Sequence, residues 1–182
     1  MYGIINKSIE SLVVEKFGLD KWEIIKSKSG INVDFFLSNE AYDDEITYKL
    51  VSTIATEMNI TVHDVMVTFG EYWVTKTTHQ KYESLMNAGG QNLKEFLINL
   101  PGFHNRIMLL YPKLTPPEFK IGKIEDDNIE MLYYSKRNAL QPFVIGLFQG
   151  LGKMFNTKVE VKHIDGIHNG LDHDVYNVKW QK

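Results

Sequence analysis

Tyr133, Ser135 and Arg137 stand at every second position of the run Leu132-Tyr133-Tyr134-Ser135-Lys136-Arg137. In an extended strand alternate side chains share a face, so two hydroxyls and a guanidinium would line one row. Hydroxyls donate hydrogen bonds, and the planar guanidinium fork matches carboxylate or phosphate oxygens. The row reads as a clamp for a ligand with more than one anionic group. The competing reading is the polar face of an exposed strand. His104 is the second informative residue. Leu93, Leu97, Leu100, Ile107, Met108 and Tyr111 recur around it at helical spacing, which puts its imidazole on an apolar face. There it needs a hydrogen-bond partner or a metal, because a buried unpaired polar group costs about 1–3 kcal/mol. A satisfied core histidine and a metal ligand both fit that placement.

The other histidines point to no second centre. His163, His168 and His173 recur five apart, which puts neighbours on opposite faces of a strand and off any helical stripe. His173 between Asp172 and Asp174 reads as a solvated turn rather than a metal site. No His-Glu-x-x-His, serine elbow or Walker loop occurs. Gly146, Gly150 and Gly152 suit close helix packing better than a phosphate loop.

Composition narrows the field further. The 182 residues suffice for one domain with a real core. A net charge of -3 gives no basic face for nucleic acid and no polybasic membrane anchor. The absence of cysteine removes disulfides, thiolate metal sites and cysteine nucleophiles. No apolar run is long enough to span a bilayer. Ser8, Glu10 and Glu15 interrupt any secretory pattern, and Gly3 stands one place too late for myristoylation. A soluble cytoplasmic protein is expected.

The elements that must position these residues follow from periodicity. Ile5, Ile9, Leu12, Val13 and Phe17 predict a first helix ended by Gly18. Asp20 is the expected cap of a second, Asp43 or Asp44 of a third, and Thr61 with Asp64 of a fourth, whose stripe runs to Trp73. Asn92 and Glu95 form a capping box for the helix of His104. Within that helix Leu100-Pro101-Gly102-Phe103 predicts a kink or a restart at Pro101. Strands are expected over 119–123 and 129–135, a helix near 140–155, and strands over 159–164 and 175–180. The fold class is α+β: a helical N-terminal part, then β-β-α-β-β with a four-stranded antiparallel sheet.

A buried imidazole and a clamp for two carboxylates have one economical joint explanation, heme. Its iron needs an axial imidazole and its two propionates need donors. The same residues carry a family resemblance. Met1-Tyr2-Gly3-Ile4-Ile5-Asn6, Phe69-Gly70-Glu71-Tyr72-Trp73-Val74-Thr75, the helix of His104, Pro116-Pro117-Glu118-Phe119, the Tyr-x-Ser-x-Arg run and Ile145-Gly146-Leu147-Phe148-Gln149-Gly150 together resemble a heme nitric oxide/oxygen-binding (H-NOX) domain. The chain is similar to the heme domain of soluble guanylate cyclase and to stand-alone bacterial relatives. The resemblance implies one H-NOX domain over 1–182, with 1–62 a helical N-terminal subdomain and 63–182 the heme-binding α/β part.

The resemblance further implies heme b (iron protoporphyrin IX), with His104 as the iron ligand and Tyr133, Ser135 and Arg137 on the propionates. Ile5 and Pro117 match residues that press on the porphyrin. Trp73, Phe143, Val144 and Leu147 match the distal wall. Phe143 stands where oxygen-binding relatives have a hydrogen-bonding Tyr, so nitric oxide and carbon monoxide are the expected gases and oxygen binding should be poor. The implied signal is release of His104 and rotation of the helical part. No kinase, cyclase or methyl-accepting segment is recognised up to Lys182, so a separate histidine kinase or diguanylate cyclase is the expected partner. Two other classes compete: a heme-free binding module for an anionic small molecule, and a heme enzyme, which would need distal acid–base groups.

Overall fold

The computed structural model describes residues 1–110 and 117–181, apart from the side chains of 80 and 108–110. The chain divides into two compact units, Met1–Phe69 and Gly70–Lys182.

The first unit is helical: α1 (Gly3–Phe17), α2 (Leu19–Lys28), α3 (Asp44–Met58) and most of α4 (Val62–Tyr72). Gly18, at φ 85°, ends α1 and directly precedes α2, a left-handed backbone that favours glycine. No side chain caps α2; Asp20, expected as its cap, lies inside the first turn instead, where its charge still suits the helix dipole. Asp43 does cap α3, accepting the Glu45 N–H at 2.9 Å. Thr61 and Asp64 bond reciprocally at the start of α4: the Asp64 N–H donates to Thr61 Oγ1 at 3.0 Å, and that hydroxyl donates to Asp64 Oδ2 at 2.7 Å. The helical stripes bury Ile9, Val13, Trp22, Ile25, Leu50 and Ile54.

The second unit begins at Gly70, inside α4, and the helix does not stop at Trp73. The helix widens into a π-helical segment, Trp73–Thr78, and continues as α5 (His79–Asn87). Thr75 and Thr78 donate their hydroxyls back to the carbonyls of Glu71 and Val74, at 2.8 and 2.9 Å, which competes with the regular ladder where it loosens. The His104 helix is α6 (Leu93–Leu110), and Asn92 caps it as expected, Oδ1 accepting the Glu95 N–H at 2.9 Å; the Glu95 carboxylate reaches back one residue further, to the Gln91 N–H at 2.9 Å. The restart expected at Pro101 does not occur, since α6 runs through it. Proline removes one ladder bond, but Leu97, Leu100 and Phe103 are buried on either side and hold the helix in register. Tyr111, Pro112 and Pro116 fall outside the described residues.

Strands β1 (Glu118–Ile124), β2 (Asn128–Tyr134), β3 (Val159–Asp165) and β4 (Asp174–Trp180) form one antiparallel sheet in the order β1-β2-β4-β3. The α+β class and the four-stranded antiparallel sheet are therefore as expected. Alternation along β2 buries Ile129, Met131 and Tyr133 on one face, joined by Tyr176 and Val178 of β4. Helix α7 (Gln141–Met154) covers this sheet and buries Val144, Phe148 and Leu151. Its packing depends on missing side chains. A Cβ on Gly70 would lie 2.2 Å from the Phe143 carbonyl oxygen, and one on Gly150 would lie 2.8 Å from Val74 Cβ. The glycine spacing in α7 thus serves close approach.

This contrast gives a paired prediction. Gly70→Ala forces two backbones apart and should destabilise by about 1–3 kcal/mol in urea unfolding. Among the described residues Gly102→Ala meets nothing nearer than Arg106 Nη2 at 4.0 Å, so helix propensity wins there. It should stabilise by about 0.5–1 kcal/mol in the same assay.

Candidate functional site

Three elements of the second unit bring two of the predicted residues, His104 and Tyr133, against one aromatic ring. Helix α6 carries His104, β1 carries Phe119, and β2 carries Tyr133. Phe119 pairs with Tyr133 across the strands, and its ring lies 5.5 Å from His104 and 5.1 Å from Tyr133, centroid to centroid. The imidazole and the first clamp residue therefore share one aromatic neighbour. Phe119 was not among the expected site residues; its inward place on β1 opposite Tyr133 is the signal that would have found it.

His104 as a residue is partly exposed, but its Nδ1 is wholly buried and has no hydrogen-bond partner among the described residues. Burial pushes the imidazole pKa down to about 4, because the charged form loses its water. The Pro117 carbonyl pulls the other way, since proline has no N–H and can only accept from the ring. That contact acts on the charge of the ring without satisfying Nδ1 in hydrogen-bond geometry. The result is a neutral imidazole at neutral pH with an unsatisfied nitrogen in apolar surroundings. Neutral imidazole is the form that ligates metal. On this observation the residues present fit an iron porphyrin.

The clamp differs from the alternating strand row in one respect. Strand β2 ends at Tyr134, so only Tyr133 belongs to it; Ser135 and Arg137 lie in the bend that follows. The Arg137 backbone N–H donates to Ser135 Oγ at 3.0 Å, which tightens the bend. Ser135 is the acceptor in that bond, so its own O–H can still donate to another group. Tyr133 faces inward and is 3% exposed, which rules out the exposed-strand reading for this residue.

The remaining expected residues are distributed as follows. Pro117 is the residue just before β1. Trp73 opens the π-helical segment, and Phe143, Val144 and Leu147 lie on the first turns of α7. Val144 is fully buried, while Phe143 and Leu147 are partly exposed. Ile5 is a partly exposed residue of α1 in the first unit. A further buried group, Tyr176, went unnoticed in the sequence. It is 0% exposed, its hydroxyl has no partner among the described residues, and burial together with the nearby Asp174 carboxylate raises its pKa.

One expectation is overturned here. His163 and His168 do come together, their ring centroids 5.5 Å apart, because a turn folds the chain back between them. His173 stays apart: it stacks on Tyr134 at 4.7 Å and pairs with Asp172.

Comparison with known proteins places this arrangement in a class. A family model described as Haem-NO-binding matches residues 2–163. The chain belongs to this family of heme-binding gas-sensor domains. Soluble guanylate cyclase gcy-31 of Caenorhabditis elegans is 25% identical over 175 residues, covering 95% of this chain and 25% of that protein. Soluble guanylate cyclase gcy-35 of the same organism is 29% identical over 170 residues, covering 89% and 24%. The chain thus spans about a quarter of the length of these relatives. An H-NOX protein from S. oneidensis in the Fe(II)NO ligation state superposes with a TM-score of 0.88 at 21% identity, with all of both chains covered. The Fe(II) unliganded H-NOX protein from K. algicida gives 0.85 at 21%, covering 100% of this chain and 97% of that one. The fold is the H-NOX fold. Among the described residues no helix is long and apolar enough to cross a membrane.

Two measurements probe the site. Unfolded histidine titrates near 6.5 and His104 near 4, so between those values the unfolded chain binds more protons. The heme-free protein should keep its full His104-dependent stability above about pH 6.5 and lose up to roughly 3 kcal/mol of it toward pH 4. His104→Leu should flatten that slope in chemical unfolding followed against pH. Tyr176→Phe removes a buried orphan hydroxyl and should leave stability unchanged or raise it by up to about 1–3 kcal/mol.

Proposed function

We propose that the domain binds heme b through His104 and reports nitric oxide or carbon monoxide. The observation that carries this reading is the neutral, desolvated imidazole of His104 with its unsatisfied Nδ1. Heme, when bound, supplies a ferrous iron with a coordination position for a diatomic gas. Tyr133, Ser135 and Arg137 would hold the propionates: the guanidinium fork pairs with a carboxylate, and the hydroxyls donate to it. Pro117 and Ile5 would press on the porphyrin edge with rigid or branched apolar groups.

Selectivity is assigned to the wall. Phe143, Val144 and Leu147 carry no hydrogen-bond donor, so a polarised dioxygen gains nothing from them. Nitric oxide and carbon monoxide need no such donor. Trp73 is the member of the set with an N–H.

The proposed output runs through α6. His104 held by a metal fixes the helix; His104 let go leaves the helix free to shift. Pro101 has already removed one ladder bond about a turn before His104, so bending there costs less than in an unbroken helix. A gas can bias this equilibrium only by its different affinity for the two states. The helical part, 1–62, is the proposed moving body relative to 63–182. A separate histidine kinase or diguanylate cyclase in a bacterial cytoplasm is the proposed receiver.

The test is the absorption spectrum of the purified protein after heme addition. A Soret band moved by nitric oxide and little affected by air is expected. His104→Gly should lose the histidine-ligated spectrum and regain it with free imidazole. Phe143→Tyr should gain oxygen affinity. No Soret band, or an identical one in His104→Gly, would overturn the reading.

A further inference from the structure

We infer that the turn between β3 and β4 is a second metal site, for a divalent transition ion such as Zn²⁺, built from His163, His168 and Asp174. One ligand atom from each lies within 4.8 Å of the others. His163 sits near the end of β3, His168 in the 3₁₀ turn Ile167–Asn169, and Asp174 at the start of β4. His163 Nε2 and Asp174 Oδ1 are 2.9 Å apart. Two imidazoles and a carboxylate suit zinc and its neighbours in the first transition row; calcium and magnesium prefer all-oxygen sets.

The surroundings are built around these three groups. Asp174 is almost fully buried, its side chain 3% exposed, and a carboxylate so placed requires partners. Gln141, the first residue of α7, donates from Nε2 to Asp174 Oδ2 at 3.1 Å, which leaves Oδ1 turned toward the imidazole. Such outer partners fix the orientation of a ligating carboxylate. Asp165 shapes the turn by accepting the Gly166 N–H and the Asn169 side-chain amide, both at 2.8 Å. Gly166 supplies the space: a Cβ there would lie 2.1 Å from Asp174 Oδ1 and 2.9 Å from His163 Nε2. Any side chain at 166 would fill the position between the donors.

Zinc bonds of about 2.0–2.2 Å in a tetrahedral shell set the donors about 3.3–3.5 Å apart, so His163 Nε2 and Asp174 Oδ1, now 2.9 Å apart, separate slightly, and His168, which is exposed, turns inward to complete the set. The ion takes the position between His163 Nε2 and Asp174 Oδ1, and the neutral imidazole binds it with its N–H on Nδ1. Three protein ligands leave a fourth position to water. The site staples both ends of the β3–β4 turn and, through Gln141, the start of α7.

Zn²⁺ titration of the tag-free, heme-loaded protein by calorimetry, with X-ray absorption at the zinc edge, tests this independently of iron. One ion per chain with two imidazoles in its shell is expected. His168→Ala alters an exposed residue, so the fold should survive; it should weaken binding at least about tenfold. His173→Ala should leave binding unchanged. Absence of stoichiometric binding, or affinity that survives His168→Ala, or a zinc shell without imidazole, would overturn the assignment.

Discussion

A buried imidazole nitrogen with no hydrogen-bond partner among the described residues is the constraint around which the second unit is organised. His104 must be carried on a helix, because only there does its spacing to Leu97 and Leu100 turn it toward apolar surroundings. The same surroundings expel the imidazolium, so the ring is kept in the form with a lone pair to give. A protein selected only for stability would put an aliphatic residue at such a position, since that restores packing without the desolvation cost. The unsatisfied nitrogen is therefore the clearest mark of function in the chain.

Helix α7 is held by backbone proximity as well as by its buried side chains. Gly70 and Gly150 let α7 lie against the end of α4 and the π-helical segment, and Gly152 lets it meet Val159 of β3. A helix seated this closely has little freedom to translate, so the side chains on its first turns keep fixed positions. The π-helical segment at Trp73 adds to this: an extra residue per turn shifts the following side chains around the axis, and such segments are frequent at functional sites.

Much of this was legible in the sequence because the signals were local. Capping pairs such as Asn92–Glu95 and Thr61–Asp64 are read within a few residues, and they form as read. The alternation that buries Ile129, Met131 and Tyr133 is equally local. Other features depended on tertiary context. The end of β2 at Tyr134 depends on the Ser135 hydroxyl taking the Arg137 N–H, a bend that competes with the strand pattern. The continuity of α6 through Pro101 depends on tertiary burial overriding propensity. The approach of His168 to His163 depends on a turn organised by Asp165 and Gly166, so an argument from strand or helix period could not find it.

These features meet along the β2–β4 pair. Tyr133 lies directly across from Asp174, and Met131 across from Tyr176, whose other neighbour is His163. One end of the sheet therefore carries Tyr133 on one strand and the buried Asp174 carboxylate on the next. Asp174 adds to burial in raising the pKa of Tyr176, and it accepts from the amide of Gln141, the residue that opens α7. A change in charge at Asp174 would thus be felt by a buried phenol on the sheet and by the helix that bears Phe143. Sheet register, rather than a chain of mobile side chains, links the two neighbourhoods, because cross-strand pairing cannot slip by one residue without turning Tyr133 away from Phe119.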